Sequence, residues 1–163
     1  MNRKVFLDTS AIILFLHGKI SKDGKEIFQQ SLSGKYKLMT TTRCIDELIF
    51  KEMVILGKEK YGLQTKTVEK LRKKVDIVKK IGKELKPVIN GFLKAYKIEI
   101  LDIKKEWLFE LPSLMEELGI FGNDLLIVRA MRSRNIKYLL TADRDFENVG
   151  NYLDIKIINA RGD

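Results

Sequence analysis

Four acidic residues lie at points in the sequence where carboxylate chemistry is commonly built. Two of them, Asp8 and Asp143, directly follow or lie just beyond short apolar runs that are typical of buried strands. The other two, Glu47 and Asp124, lie in the first turns of helical patterns. Sites in open α/β sheets form outside the carboxyl ends of the strands. If the two strands are parallel neighbours, we expect the four carboxylates to meet at one edge of the sheet.

Carboxylates brought this close together repel one another unless cations neutralise them. Hard oxygen ligands suit Mg²⁺ or Mn²⁺, which retain water and can bind substrate phosphates alongside a few carboxylates. Such ions polarise a phosphodiester and activate water for attack on the phosphorus. The pattern therefore favours metal-dependent cleavage of a phosphodiester. Asp145, two residues beyond Asp143, is either a fifth metal ligand or a turn residue.

Alternating strands and helices must position these residues. Short apolar runs predict buried strands, and longer runs with apolar residues three or four apart predict helices. The predicted strands are 5–7, 37–39, 98–101, 138–140 and 155–158; the predicted helices begin near Ser10 or span 25–32, 43–56, 65–85, 104–118 and 124–134. This alternation is typical of an α/β domain with a mainly parallel sheet. We expect a single domain over residues 1–163, with residues 57–97 as a basic helical elaboration able to project as an arm.

Two details of the helical pattern depend on spacing and on proline. The predicted helix 65–85 places its apolar stripe at Val68, Leu71, Val75, Val78 and Ile81, with lysines between them. Proline is unfavourable inside a helix. We therefore expect Pro87 to start a new helical turn or a kink, and Pro112 to restart the helix that contains it.

The positive charge of the chain is concentrated in its middle. The formal net charge is +9, and residues 51–105 carry 16 basic and 7 acidic side chains, which is also a net of +9. Such asymmetry indicates an anionic partner, with nucleic acid as the first candidate. A solvated lysine-rich surface explains the charge equally well.

Composition excludes several other classes of protein. The single cysteine, Cys44, excludes an internal disulfide and a cysteine-based zinc site. Asp8 interrupts the first apolar stretch, which a signal peptide would need intact. No apolar run approaches the ~18 residues expected of a membrane helix. We therefore expect a cytoplasmic protein with no membrane association.

Four segments of the sequence resemble the four signatures of the PIN-domain nucleases. They are LDTSAII at 7–13, an acid within TTRCIDELIF at 41–50, GNDLLIVRA at 122–130 and YLLTADRDF at 138–146, and they occur in the order of the family. The resemblance implies a three-layer α/β/α sandwich and a Mg²⁺- or Mn²⁺-dependent ribonuclease centre. It also implies cleavage that leaves a 3′ hydroxyl and a 5′ phosphate.

Single residues carry over from this resemblance. The acidic positions of the family match Asp8, Glu47, Asp124 and Asp143, and its hydroxyl or amide positions match Ser10 and Thr141. VapC-type toxin ribonucleases are the best-known members of this size. The resemblance to them implies RNA as the substrate, a homodimer and a small antitoxin protein as an inhibitory partner.

Structural explanations compete with these roles. Asp8 and Asp124 suit helix starts, and Asp143 suits a turn. Glu47 has Lys51 four residues on, the spacing of a helical ion pair, and its neighbour Asp46 is an alternative acid. Two other functions fit the same residues: an RNA-processing nuclease outside toxin–antitoxin systems, or an inactive PIN-like protein that only binds RNA.

Overall fold

In the part of the chain that the structure describes, the central sheet has five parallel strands. The computed structural model describes residues 2–162, apart from the side chains of residues 151 and 152. The strands are β1 (Arg3–Leu7), β2 (Tyr36–Thr41), β3 (Glu99–Leu101), β4 (Tyr138–Thr141) and β5 (Lys156–Asn159). Their order across the sheet is β3-β2-β1-β4-β5, and every neighbouring pair is parallel. The prediction of a mainly parallel α/β domain is confirmed.

Within residues 2–162, eight α-helices connect and cover these strands. They are α1 (Thr9–Leu16), α2 (Lys22–Leu32), α3 (Thr42–Glu59), α4 (Thr67–Arg72), α5 (Val75–Ala95), α6 (Lys105–Leu118), α7 (Asn123–Ser133) and α8 (Glu147–Leu153), with a short 3₁₀ helix at Arg144–Phe146. Thr41 caps α3 by accepting a hydrogen bond from the Cys44 backbone N–H, as threonine does at helix starts. None of the helices in residues 2–162 is both long and apolar enough to cross a membrane.

Alternation along the strands divides the core into two layers. Val5 and Leu7 of β1 pack against one cluster, whose other members come mainly from α1 to α5, and Phe6 packs against a second cluster supplied mainly by α6, α7 and α8. Successive side chains of a strand point to opposite faces of the sheet, so a strand buried on both sides is apolar throughout. Helices therefore cover both faces of the sheet, which gives the three-layer α/β/α sandwich that the sequence predicted.

The basic segment differs from its prediction in two ways. The expected helix 65–85 is two helices, α4 and α5, which are separated at Lys73 and Lys74. The apolar stripe also changes phase at this break: Val75 is 59% exposed, whereas Ile81, Leu85, Ile89 and Phe92 are buried in the core cluster of the α1–α5 layer. These buried positions pack the segment against the sandwich, so it does not project as an arm.

Neither proline restarts its helix as the sequence predicted, and two short helices were missed. Pro87 lies inside α5 and Pro112 inside α6, with neither helix restarting there. An interior proline costs about 3 kcal/mol, a cost that burial of the apolar faces of these helices offsets. The 3₁₀ helix at Arg144–Phe146 and helix α8 occupy a stretch for which the sequence predicted no element.

The strand order places a topological switch at the centre of the sheet. From β1 the chain moves outward through β2 to β3 and then returns to the other side of β1 as β4. The register pairs Leu7 of β1 with Leu140 of β4. The next residues, Asp8 and Thr141, therefore emerge side by side at the carboxyl edge. Ligand sites of open α/β sheets form at such a crevice.

Candidate active site

Asp8 is the most buried acid of the site. Its residue is 8% exposed, and its Oδ2 accepts hydrogen bonds from Thr141 Oγ1 at 2.7 Å and Ser10 Oγ at 2.9 Å. Burial raises the pKa of the Asp8 carboxyl, although these two hydroxyls favour its ionised form. Asp8 is the N-cap residue of α1, but its side chain makes no capping hydrogen bond. Helix capping therefore does not account for this carboxylate.

Hydroxyl groups tie the ends of β1 and β4 together around Asp8. Ser10 Oγ accepts a hydrogen bond from the Ala142 backbone N–H at 3.0 Å, and Thr141 Oγ1 accepts one from the Asp143 backbone N–H, also at 3.0 Å. The two hydroxyl oxygens lie 3.3 Å apart. Ser10 and Thr141, both predicted to support the site, therefore fix the Asp8 oxygen relative to the loop that carries Asp143.

Glu47 is held by two neighbours. Its Oε1 lies 2.6 Å from Lys51 Nζ, and its Oε2 accepts a hydrogen bond from Asn123 Nδ2 at 2.9 Å. Burial pushes the pKa of Glu47 up, but these two hydrogen bonds more than compensate, and the pKa lies below its usual value. The alternative acid, Asp46, has a side chain that is 79% exposed and pairs with Arg43. Glu47, and not Asp46, faces the other candidate acids.

Asp124 shows how closely the acids are gathered. Burial, followed by the charges of Asp143, Asp8, Asp145 and Glu47, raises its pKa from 3.8 to about 7. Four carboxylates that each raise the pKa of a fifth must share one region of negative potential. Asp124 is the second residue of α7, where the helix dipole favours negative charge, but the effect of burial and of the like charges outweighs that preference.

Asp143 and Asp145 belong to the loop after β4. The Asp145 backbone N–H donates a hydrogen bond to Asp143 Oδ1 at 2.9 Å, so Asp143 does cap the 3₁₀ helix that follows. Both side chains also line the same cleft as Asp8 and Asp124. The turn role and a place beside the other acids are therefore compatible.

One cleft of about 910 Å³ contains all five predicted acids. Its wall also includes Ser10 and the segment from Glu117 to Asp124, which joins α6 to α7. Glu117 is a sixth acid, although it pairs with Arg132 at 3.1 Å. Among the described residues of this lining, Lys51 is the only basic one. The cleft is thus strongly acidic in a protein whose formal net charge is +9.

The donor set fits a hard divalent cation but is not preassembled for one. Within residues 2–162, no three Asp, Glu, His or Cys side chains form a ready-made group of ligands. The contacts of the side chains account for this, because Asp8 is turned toward hydroxyls and Glu47 toward Lys51 and Asn123. Mg²⁺ commonly binds through one or two carboxylates and keeps its remaining waters. The carboxylates of this cleft suit that mode of binding.

Asn123 is a site residue that the sequence analysis missed. It links α7 to α3 through Glu47, and its Oδ1 is buried with no hydrogen-bond partner among the described residues. A buried amide oxygen without a partner is costly, so this atom is suited to a water or ligand that completes it. The only signal in the sequence was its position directly before Asp124.

The fold and the site define this protein as an α/β/α sandwich domain with an acidic cleft at the switch point of its parallel sheet. Comparison of the sequence with models of protein families assigns the family. The sequence matches the model of the PIN domain over residues 5–152. The chain belongs to the PIN domain family, a family of nucleases. This membership confirms the resemblance seen in the four sequence segments.

Solved structures give a related fold. The chain is similar to a chain in the crystal structure of VapBC2 from Rickettsia felis bound to a DNA fragment from their promoter, with 20% identity and a TM-score of 0.50. The similarity covers 96% of this chain and 98% of that one. At this identity the likeness concerns the fold alone. No curated protein matches the sequence.

Proposed function

We propose that this protein is a metal-dependent endoribonuclease that hydrolyses RNA phosphodiester bonds. The observation that carries the proposal is the cleft in which Asp8, Glu47, Asp124, Asp143 and Asp145 gather at the carboxyl edge of the sheet. Burial, together with repulsion from the other four carboxylates, raises the pKa of Asp124 to about 7. Carboxylates that are held together despite this unfavourable electrostatic energy are expected to bind a cation. In a nuclease, such a cation contacts the phosphate of the substrate.

In this proposal Asp8, Glu47, Asp124 and Asp143 hold one or two Mg²⁺ or Mn²⁺ ions, and Asp145 supplies a further oxygen. A bound ion supplies an activated water and neutralises charge on the phosphate. The protein side chains prepare the site. Ser10 and Thr141 orient the buried Asp8 oxygen. Glu47 would hold the cation in place of its contact with Lys51, and the Lys51 ammonium would then be available to the substrate phosphates.

The biological role that we propose is the toxin of a toxin–antitoxin pair in the cytoplasm. Support comes from the fold similarity to a chain of the VapBC2 complex, which was solved on promoter DNA. A small antitoxin protein and a second copy of this chain are the proposed protein partners. Exposed aromatic side chains agree with such contacts: Phe109 of α6 is 84% exposed, and Phe121 at the cleft is 73% exposed.

The decisive experiment compares wild type with Asp8→Asn on structured RNA, in Mn²⁺ and in EDTA. We expect cleavage by the wild type with Mn²⁺ only, and none by the variant, because the variant loses a buried metal ligand. Asp46→Asn is the matched control, since it removes a neighbouring but exposed acid of α3 and should leave cleavage intact. Thermal melts of all three proteins separate loss of chemistry from loss of fold.

The remaining outcomes separate the alternatives. Cleavage by Asp8→Asn would remove Asp8 from the mechanism. RNA binding in EDTA without cleavage after metal is restored would identify a PIN-like RNA-binding protein. Equal cleavage of single-stranded DNA would refute the choice of RNA. Growth arrest on expression of wild type but not of Asp8→Asn is expected for a toxin, whereas an RNA-processing nuclease would not arrest growth.

A further inference from the structure

A second groove adjoins the acidic cleft and has the opposite charge. It has a volume of about 730 Å³ and shares two lining residues, Ser10 and Lys51, with the cleft. Its other lining residues are Ile13, Leu14, Lys19, Ala142, Arg161 and Gly162. Among the described residues of its lining, three are therefore cations and none is an acid. The acidic cleft and the basic groove therefore adjoin at Ser10 and Lys51, where the charge of the surface changes from negative to positive.

Arg161 is fixed in this groove by the backbone. Its Nε donates a hydrogen bond to the Ala142 carbonyl oxygen at 2.8 Å, and its backbone N–H donates one to Asn159 Oδ1 at 3.0 Å. An isolated antiparallel bridge also joins Arg161 to Ile20, next to Lys19. Within residues 2–162, neither Arg161 nor Lys19 forms a salt bridge with an acid. Among the residues that the structure describes, Lys19 and Arg161 thus present positive charge that no carboxylate neutralises, whereas Lys51 is paired with Glu47.

We propose that this groove binds the backbone phosphates of the RNA strand next to the scissile phosphate. A strand that places one phosphate at the acidic cleft must continue across an adjoining surface, and its next phosphates require cations. Lys19, Lys51 and Arg161 supply them, while Ile13 and Leu14 offer an apolar wall for a ribose or base. The proposal rests on the proposed ribonuclease function and adds the path that the substrate takes.

The lysine-rich segment 57–97 is the competing surface, and its packing puts it further away. No residue of this segment lines either the cleft or the groove. Glu84 of α5 contacts Lys60 and Tyr61 at the far end of α3. Lys60, the C-cap residue of α3, lies thirteen positions after Glu47, which is about 20 Å of helix. The segment with the larger positive charge therefore lies further from the acidic cleft than the groove does.

Charge-matched variants distinguish the two surfaces. The groove pair is Lys19→Gln with Arg161→Gln, and the control pair is Lys79→Gln with Lys80→Gln on the exposed face of α5. Binding of a fluorescent single-stranded RNA is measured by anisotropy in EDTA over a range of salt concentrations. Two lost phosphate contacts should reduce the salt slope by about 1.4, which is about 25-fold in affinity at 0.1 M salt. The control pair should retain nearly the full slope.

Several outcomes would overturn the inference. An unchanged slope in the groove pair, or an equal loss in the control pair, would show that RNA does not follow the groove. Arg161→Lys keeps the charge while losing the Nε contact, so it should bind nearly as well as wild type; a full loss there would indicate a folding defect. Cleavage assays in Mn²⁺ should show a raised KM with kcat retained. Groove binding without cleavage would contradict only the ribonuclease proposal.

Discussion

Replacing Asp124 with Asn should stabilise the metal-free protein at neutral pH. Burial and the neighbouring carboxylates raise the pKa of this group to about 7, whereas it is about 3.8 in the unfolded chain. Between these values the folded state holds the proton more tightly, so the free energy of unfolding falls as pH rises. The cost of ionising Asp124 begins near pH 4 and is complete above about pH 7. Asparagine does not ionise, so the variant avoids this cost.

The magnitude follows from the pKa and from exposure. A difference of about three pKa units corresponds to an upper limit of about 4 kcal/mol. Asp124 is only partly buried, so water screens its repulsion, and we expect on the order of 1–2 kcal/mol. The variant also loses a favourable helix-dipole contact worth about 0.3–1 kcal/mol. A net gain of about 1 kcal/mol raises the Tm of a protein of this size by about 2–4 °C.

Thermal melts in EDTA at pH 8 and pH 4.5 measure this difference. Asp124→Asn should raise Tm at pH 8 and leave it unchanged or lower at pH 4.5. Asp76→Asn is the matched control, because Asp76 is also the second residue of its helix but is exposed. If Asp124→Asn changed the Tm at pH 8 no more favourably than Asp76→Asn does, the repulsion at Asp124 would be refuted. With Mn²⁺ the wild type should gain more Tm than the variant, and equal gains would exclude Asp124 as a ligand.

Four further substitutions test the contacts and backbone conformation of single residues. Lys51→Gln should tighten Mn²⁺ binding about fivefold at low ionic strength, because it removes a competing ion pair with Glu47 worth about 1 kcal/mol. Titration calorimetry measures this affinity, and an unchanged value would contradict the prediction. His17→Ala should cost about 1–3 kcal/mol in urea denaturation, because the buried Glu52 loses its partner; a loss under about 0.5 kcal/mol would contradict it. Gly122→Ala should lower the free energy of unfolding by about 1–3 kcal/mol, because Gly122 has a φ of 67°. Gly82→Ala should instead raise it by about 0.5–1 kcal/mol, because Gly82 lies in open space on helix α5. Thermal melts that reversed this order would refute the backbone strain at Gly122.

The acidic cleft was predictable because its acids follow local rules. Asp8 ends a short apolar run, and Asp124 begins a helix after two glycines, so each position could be placed from its neighbours alone. Their meeting required β1 and β4 to be parallel neighbours, which the pairing of Leu7 with Leu140 confirms. The contact between Glu47 and Asn123 was not predictable. It depends on how α3 packs beside α7, and no periodicity encodes the approach of two side chains so distant in sequence.

The break between α4 and α5 was hidden for a related reason. Val75 and Val78 continue the apolar spacing of the preceding turns, so the periodicity predicts one uninterrupted helix. The structure leaves Val75 59% exposed and buries a different stripe that includes Leu85 and Ile89. Spacing reports that residues can share a face, but the neighbouring helices determine which face is buried.

The net charge of a stretch of sequence does not show which cations lie near the candidate site. Residues 51–105 carry the whole formal excess of +9, but charge in solution acts over a Debye length of about 10 Å at 0.1 M salt. The contacts of Glu84 lie about 20 Å along α3 from Glu47, beyond that range. Lysines at such a distance can raise the rate of encounter with a polyanion, whereas they cannot fix a phosphate beside the acids. In the path that we propose for RNA, positioning depends on Lys19, Lys51 and Arg161, of which Lys51 alone belongs to this basic stretch.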